Sequence, residues 1–277
     1  MAEAKRLTPR RTLSRAACVA RGPLHAGREV DAHILRNRRI RLLALTVVLA
    51  AIAVGVAIVV SSSGSGGTGA PGLAVGRKAV TEGQQVAALL SGIPQHATRL
   101  GAPSAPVTVE YFGDLECPVC RAFTLQGGLT ELIERDVRQG RVQVWYRSAC
   151  TATCNGPGPE VFAAQQVAAY SAGMQHRFWD YAELFYREQG AEGSGYVNEQ
   201  YLDQLARQIP GLRFLAWKRD RGDPAYLGQL QSDLQSARSL KIPGTPTLYV
   251  NGPKRRIQLP DAVPAYQELE QAIDRAG

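Results

Sequence analysis

Tyr111-Phe-Gly-Asp-Leu-Glu-Cys-Pro-Val-Cys-Arg-Ala-Phe123 is the stretch that decides the reading of this 277-residue chain. It follows Val107-Thr-Val-Glu-Tyr-Phe112, which alternates with period two and is rich in β-branched and aromatic residues, so a strand is expected there. Pro118 suits the first position of a helix, where its missing N–H would have no partner in any case. Cys117 then falls at the helix N-cap. Free N–H groups and the helix dipole stabilise an anion there, and a thiol pKa falls from about 8.5 towards neutral or below. Cys120 lies one turn into the helix, near enough to close a disulfide but facing inward. Cys117 is therefore expected to attack and Cys120 to resolve. A static disulfide or half a metal site could share this C-x-x-C spacing, and the strand-to-helix position is what favours redox chemistry.

Outward from this junction the pattern extends in both directions. Thr81 and Gln84, ahead of Val86-Ala-Ala-Leu-Leu, read as a capping box opening a short helix. The helix that opens at Pro118 should run to about Arg138, loosened at Gly127-Gly128. Arg141-Val-Gln-Val-Trp-Tyr146 is a second alternating strand, and Pro159 to Leu240 is helical text in several segments. Thr247–Val250 and Arg256–Leu259 read as strands flanking Asn251-Gly252, a hairpin signal. A helix over Asp261–Arg275 closes the chain. The order β-α-β, helices, β-β-α predicts an α/β fold: a small sheet domain with a helical insertion at about 157–240.

The same residues carry a family resemblance. The run from Tyr111 to Phe123, with GIPQHATRLGAPSAPVTVE at 92–110 ahead of it and KIPGTPTLYVNG at 241–252, resembles the DsbA-like branch of the thioredoxin superfamily. It is most similar to membrane-tethered bacterial members, over roughly Ser91 to Gly277. The resemblance implies a thioredoxin fold with an inserted helical domain over 78–277, and a thiol-disulfide oxidoreductase, as a dithiol oxidase rather than a reductase or isomerase. It implies a cis-proline at Pro246, with Thr245 pairing its main chain to an extended substrate. It implies no cofactor and no resident metal, with exported thiol-containing proteins as substrates and a membrane partner that re-oxidises the cysteines. The dipeptide here is Pro118-Val119 rather than Pro-His, so no imidazole can donate to the thiolate. Asp114 is the better candidate for tuning the pair, and Glu116 is expected to be solvated.

Of the five cysteines, Cys150 and Cys154 follow the second strand. A local disulfide, worth about 2 kcal/mol for so small a loop, is one reading. A second redox pair exchanging with Cys117–Cys120 is another, and a shared metal site a third, although the C-x-x-x-C half fits zinc spacing poorly. A copper-handling role with His176 has nothing to fix that histidine nearby. His96 and His176 lack any triad context. The aromatic stripe Phe178-Trp179-Asp180-Tyr181 with Leu184, Phe185 and Tyr186 is expected to pack under the helix that carries Cys117.

The net charge of +8 invites a nucleic-acid reading, but its location removes it. Residues 1–41 hold 11 basic and 3 acidic residues, and the rest of the chain holds 21 of each. A neutral body has no phosphate-binding groove to offer. Leu42–Val60 is a 19-residue run without charge, spanning about 28 Å as a helix, close to a hydrocarbon core of roughly 30 Å. Arg36, Arg38, Arg39 and Arg41 precede it, so the positive-inside rule puts the tail 1–41, with Cys18, in the cytoplasm and the body outside. A cleaved signal peptide would carry a shorter apolar core and a better site than Val60-Ser61-Ser62-Ser63. The sequence thus predicts a single N-terminal transmembrane helix over 42–60, followed by a flexible Gly/Ser linker over 61–77. Two function classes remain: a membrane-anchored extracytoplasmic oxidoreductase, and a zinc or copper carrier on the same fold.

Overall fold

The structure, a computed structural model, describes residues 81–277. The expected basic tail, the 42–60 anchor and the 61–77 linker all lie outside these residues. Among the described residues, no helix is long and apolar enough to cross a membrane.

The chain enters through α1 (Glu82–Leu90), whose N-cap Thr81 and Gln84 form the expected capping box. A hairpin of two-residue strands follows, β1 (Gln95–His96) and β2 (Arg99–Leu100). Then come β3 (Val107–Gly113), α2 (Pro118–Leu125), α3 (Leu129–Leu132) continuing into a π-helical turn at Ile133–Val137, and β4 (Val142–Ser148). Six helices separate β4 from the next strand: α4 (Ala152–Asn155), α5 (Pro159–Gly173), α6 (Phe178–Arg187), α7 (Glu199–Gln208), α8 (Phe214–Asp220) and α9 (Ala225–Ser239). The chain closes with β5 (Thr247–Asn251), β6 (Arg256–Gln258) and α10 (Tyr266–Ala276).

The six strands form one sheet in the order β1-β2-β4-β3-β5-β6. Only β3 and β4 run parallel, with Val107 opposite Val142 and Gly113 opposite Ser148. β5 is antiparallel to β3, with Phe112 opposite Thr247. This topology positions the site. The carboxyl ends of β3 and β4 and the start of β5 meet at one end of the sheet, bringing the Cys117, Cys150 and Thr245 segments together.

Period-two alternation makes the two faces chemically different. Val107, Val109 and Tyr111 share a face with their partners Val142, Val144 and Tyr146 on β4 and with Leu248 and Val250 on β5, and all are buried. Phe123 of α2 meets Tyr111 edge-to-face at 5.2 Å, and Tyr146 does so at 5.3 Å, which locks the cysteine-bearing helix onto this face. On the opposite face Phe112, Ala149 and Tyr249 pack against Ala237 of α9. Beside them the buried Arg147 bridges Glu110 at 3.0 Å and Asp233 of α9 at 2.7 Å. Removing one partner of this network would strand a buried charge.

Three expectations need correction. The helix over Pro118–Arg138 is not one loosened rod, because it ends at Leu125 and restarts at Leu129. Gly128 donates to the Pro264 carbonyl at 2.9 Å, and a Cβ on it would stand 2.6 Å from the Tyr266 nitrogen, so the approach of α10 forces the break. Asn251-Gly252 does not form a two-residue turn. A loop over 252–255 joins β5 to β6, and Gly252 is needed because a Cβ there would come within 2.3 Å of the Ala276 carbonyl oxygen. Glu116, expected in solvent, is fully buried.

Candidate active site

Cys117 is the N-cap residue of α2, with extended backbone torsions of φ −73° and ψ 121°. N-caps are usually hydroxyl or carboxylate side chains that accept from the third helical N–H. Here sulfur does this work: the Cys120 N–H donates to Cys117 Sγ at 3.4 Å. The Cys117 thiol donates in turn to the Thr245 carbonyl at 3.3 Å. Cys117 is only 4% exposed, and Cys120 is wholly buried behind it.

Electrostatics separates the two thiols. Hydrogen bonding to the Cys120 side chain, opposed by burial and helped by the Thr245 side chain and by the Cys120 and Val119 N–H groups, brings the Cys117 pKa down to about 6. Burial and the neighbouring Cys117 push Cys120 well above the usual thiol range. Near neutrality, Cys117 carries the charge and Cys120 holds its proton. Only the thiolate is nucleophilic, so the two sulfurs differ in reactivity.

The surroundings of Cys117 come from distant segments. Thr245–Pro246 is a cis peptide immediately before β5. Val119 is the exposed member of the motif, at 41%. Asp114 is buried, with its carboxylate turned to the segment after β4 rather than to the sulfur of Cys117 or Cys120. Its Oδ2 accepts from Thr151 N and Thr153 N, both at 3.0 Å. Its Oδ1 accepts from Thr153 Oγ1 at 2.5 Å, Gln165 Nε2 at 3.1 Å and Glu116 N at 3.2 Å. Glu116 has no hydrogen-bond partner for either carboxylate oxygen, and burial together with the nearby Asp114 raises its pKa.

Cys150 and Cys154 are joined in a disulfide that closes a ring around α4. That bond removes both sulfurs from a four-cysteine metal site. Among the described residues no cluster of three His, Cys, Asp or Glu side chains suits a metal. His176 lies elsewhere, its Nδ1 2.8 Å from the Gln95 carbonyl. The ring reaches the site through Thr151, whose hydroxyl is hydrogen-bonded to that of Thr245.

Several supporting residues escaped the sequence reading. Gln189 Nε2 donates to the carbonyls of Leu115 at 2.7 Å and Cys117 at 3.2 Å. Arg121 Nε donates to the Tyr186 carbonyl at 2.9 Å, tying α2 to α6. Tyr186 belongs to the aromatic stripe, which is buried as expected, and its hydroxyl also donates to the Asp114 carbonyl at 3.4 Å. The one available signal for Gln165 was its place in Phe162-Ala-Ala-Gln-Gln-Val-Ala-Ala-Tyr170, where two amides interrupt an apolar helix.

Comparison with known proteins agrees with this geometry. Residues 94–275 match the family model described as Thioredoxin. The probable disulfide bond formation protein D of Bacillus anthracis is 28% identical over 177 residues, covering 64% of this chain and 76% of that protein. The oxidised BdbD structure from Bacillus subtilis superposes with a TM-score of 0.56 at 20% identity, covering 66% of this chain and 97% of that one. DsbA2 of Pseudomonas aeruginosa gives 0.51 at 22% identity, over 67% and 97%. The chain belongs to the thioredoxin family and is a DsbA-like thiol:disulfide oxidoreductase.

Proposed function

We propose that this chain is a dithiol oxidase that introduces disulfides into exported proteins, held by a single transmembrane helix with its catalytic domain outside the cytoplasmic membrane. The observation that carries the oxidase reading is the divergence of the two thiols, with Cys117 at about 6 and Cys120 far above the thiol range. A stabilised Cys117 thiolate stabilises the reduced pair, and this is what makes the corresponding disulfide oxidising. The relatives named disulfide bond formation protein D support the same direction.

In this reaction a substrate thiolate attacks Cys117 Sγ of the Cys117–Cys120 disulfide, and the S–S bond breaks with its electron pair on Cys120 Sγ, which takes up a proton. The substrate's second thiolate then attacks the substrate sulfur of the mixed disulfide. Cys117 leaves as the thiolate, which the α2 N-terminus stabilises. Two electrons have passed from substrate to enzyme, and a membrane partner must remove them. Thr245 and Pro246 border Cys117 where an extended substrate strand would lie.

The test mixes oxidised full chain with a reduced dithiol peptide. Stoichiometric peptide oxidation that disappears in Cys117→Ser is expected. Failure to oxidise the peptide, with efficient reduction of insulin by the dithiol form, would reverse the direction. The anchor has its own test: Cys18 should resist a membrane-impermeant maleimide in intact cells, and its labelling without lysis would refute the topology. The support for that topology is the arginine-flanked run Leu42–Val60.

A further inference from the structure

The Cys150–Cys154 ring is the feature that the proposed reaction leaves unused, and its contacts converge on Cys117. Thr245 has one hydroxyl proton. While Cys117 is a thiol, its own S–H donates to the Thr245 carbonyl at 3.3 Å. Once Cys117 ionises, that carbonyl faces an anion, and the sulfur needs a donor in its place. The Thr245 side chain adjoins Cys117, and it holds the Cys117 pKa down. Thr245 Oγ1 is, however, also paired with Thr151 Oγ1. A hydroxyl oxygen can accept while it donates, but its single proton goes one way only. If Thr245 donated to Thr151, the thiolate would lose this partner. If Thr151 donates, the Thr245 proton is free for sulfur.

Thr151 is held where it can donate. Its main-chain N–H is fixed on Asp114 Oδ2 at 3.0 Å, and two residues on, Thr153 is fixed on the same carboxylate through both N–H and hydroxyl. The disulfide between Cys150 and Cys154, with Cα atoms 5.6 Å apart, closes this segment into a ring that begins immediately before Thr151. Asp114 itself is wholly buried and sits three residues before Cys117, so the carboxylate that seats the ring belongs to the β3–α2 connection that leads into Cys117.

We propose that Thr151 is a positioning residue for the reaction: it donates to Thr245 Oγ1 and so turns the Thr245 hydroxyl proton onto the Cys117 sulfur, while Asp114 and the Cys150–Cys154 disulfide hold Thr151 in place. The second disulfide is in this account neither an electron shuttle nor a simple staple. It sets the orientation of a hydroxyl next to the thiolate, and through it the poise of the catalytic pair. The inference rests on Cys117 being the sulfur that leaves as a thiolate in the proposed function.

The test uses the full chain and three variants: Thr151→Val, which keeps shape and main-chain N–H but loses the hydroxyl, Thr151→Ser, which restores it, and Cys150→Ala with Cys154→Ala. The readouts are thiolate absorbance near 240 nm against pH, the reduced-to-disulfide ratio of Cys117–Cys120 in glutathione buffers at pH 7, and thermal melting. Losing one oriented hydrogen bond should raise the Cys117 pKa by about 0.5–1 unit in Thr151→Val. The reduced-to-disulfide ratio at a fixed glutathione poise should then fall by about three- to fivefold at pH 7, since less of Cys117 is held as thiolate. Thr151→Ser should stay within about 0.2 units of wild type, on the ground that the hydroxyl alone carries the effect. The double-cysteine variant should shift the pKa in the same direction, and adding Thr151→Val to it should bring no further shift, because both act through one hydroxyl.

A Thr151→Val protein that melts lower but keeps the wild-type Cys117 pKa and ratio would overturn the proposal. So would a cysteine-pair effect that is undiminished in the Thr151→Val background. A wild-type Cys117 titrating like a free thiol would instead overturn the functional reading on which the inference stands.

Discussion

Ionisation of Cys117 should make the stability of the reduced protein depend on pH, and Cys117→Ser isolates the effect. The folded-state pKa of about 6 lies below the value of about 8.5 expected for the unfolded thiol. The stabilisation is thus lost as pH falls through 6 and grows as pH rises towards 8.5. Linkage puts it at about 0.1 kcal/mol at pH 5, 1.4 at pH 7 and 2.6 at pH 8. Cys117 is almost wholly buried, so solvent does not dilute the effect. Serine does not titrate in this range, and Cys120 is present in both proteins. Urea unfolding of wild type and Cys117→Ser, both fully reduced, should show a stability gap that widens by about 2.5 kcal/mol between pH 5 and pH 8. A gap that stays constant over this range would refute the assignment of a stabilised thiolate to Cys117, whatever its absolute size.

Val119 offers neither a hydrogen bond nor a charge to the thiolate from its side chain. Val119→His should therefore lower the Cys117 pKa and make the disulfide more oxidising, read by absorbance near 240 nm and glutathione equilibration, whereas a substitution that moves neither would discredit the dipeptide argument. Glu183 is buried on α6 with no hydrogen-bond partner for either carboxylate oxygen, and burial, opposed by Arg187 and reinforced by Asp180, raises its pKa to about 7. Its unfolded form ionises first as pH rises, so it costs stability from about pH 4.5 up to 7. Glu183→Gln should remove roughly 3 kcal/mol of that loss, which denaturant unfolding at pH 4.5 and 7.5 would show. Gly252→Ala should destabilise the fold by about 1–3 kcal/mol because its Cβ meets the Ala276 carbonyl, and an unchanged melting temperature would show that α10 can shift aside.

What the sequence disclosed follows from the range of the forces involved. The β3-to-α2 junction was legible because alternation, a helix-compatible proline and a C-x-x-C spacing are all local. For the same reason the helical text opening at Pro159 was legible, and α5 begins at that proline. The β1–β2 hairpin was invisible, since two-residue strands cannot display a period. Glu116 misled because a carboxylate in a strand-to-helix connection ordinarily stays in water, whereas its burial comes from segments brought in by the fold. The break at Gly127-Gly128 and the role of Gly252 both depend on contacts with the C-terminal segment, at Tyr266 for the first and Ala276 for the second, which nothing local announces. Cys150 and Cys154 were visible as a pair, but their link to Cys117 runs through Thr151, Thr153 and Asp114, side chains that ordinary turn chemistry would equally supply. Parallel pairing of β3 with β4 is what places that pair beside the catalytic helix.

The central claim, an oxidising Cys117–Cys120 pair, is tested most directly by its reduction potential in the full chain, measured by equilibration with glutathione at pH 7. A Cys117 pKa near 6, above the value of about 3.5 reached by the strongest oxidants, places the expected potential between about −230 and −120 mV. A value at or below about −270 mV, in the thioredoxin range, would mark the pair as a reductant and contradict the account.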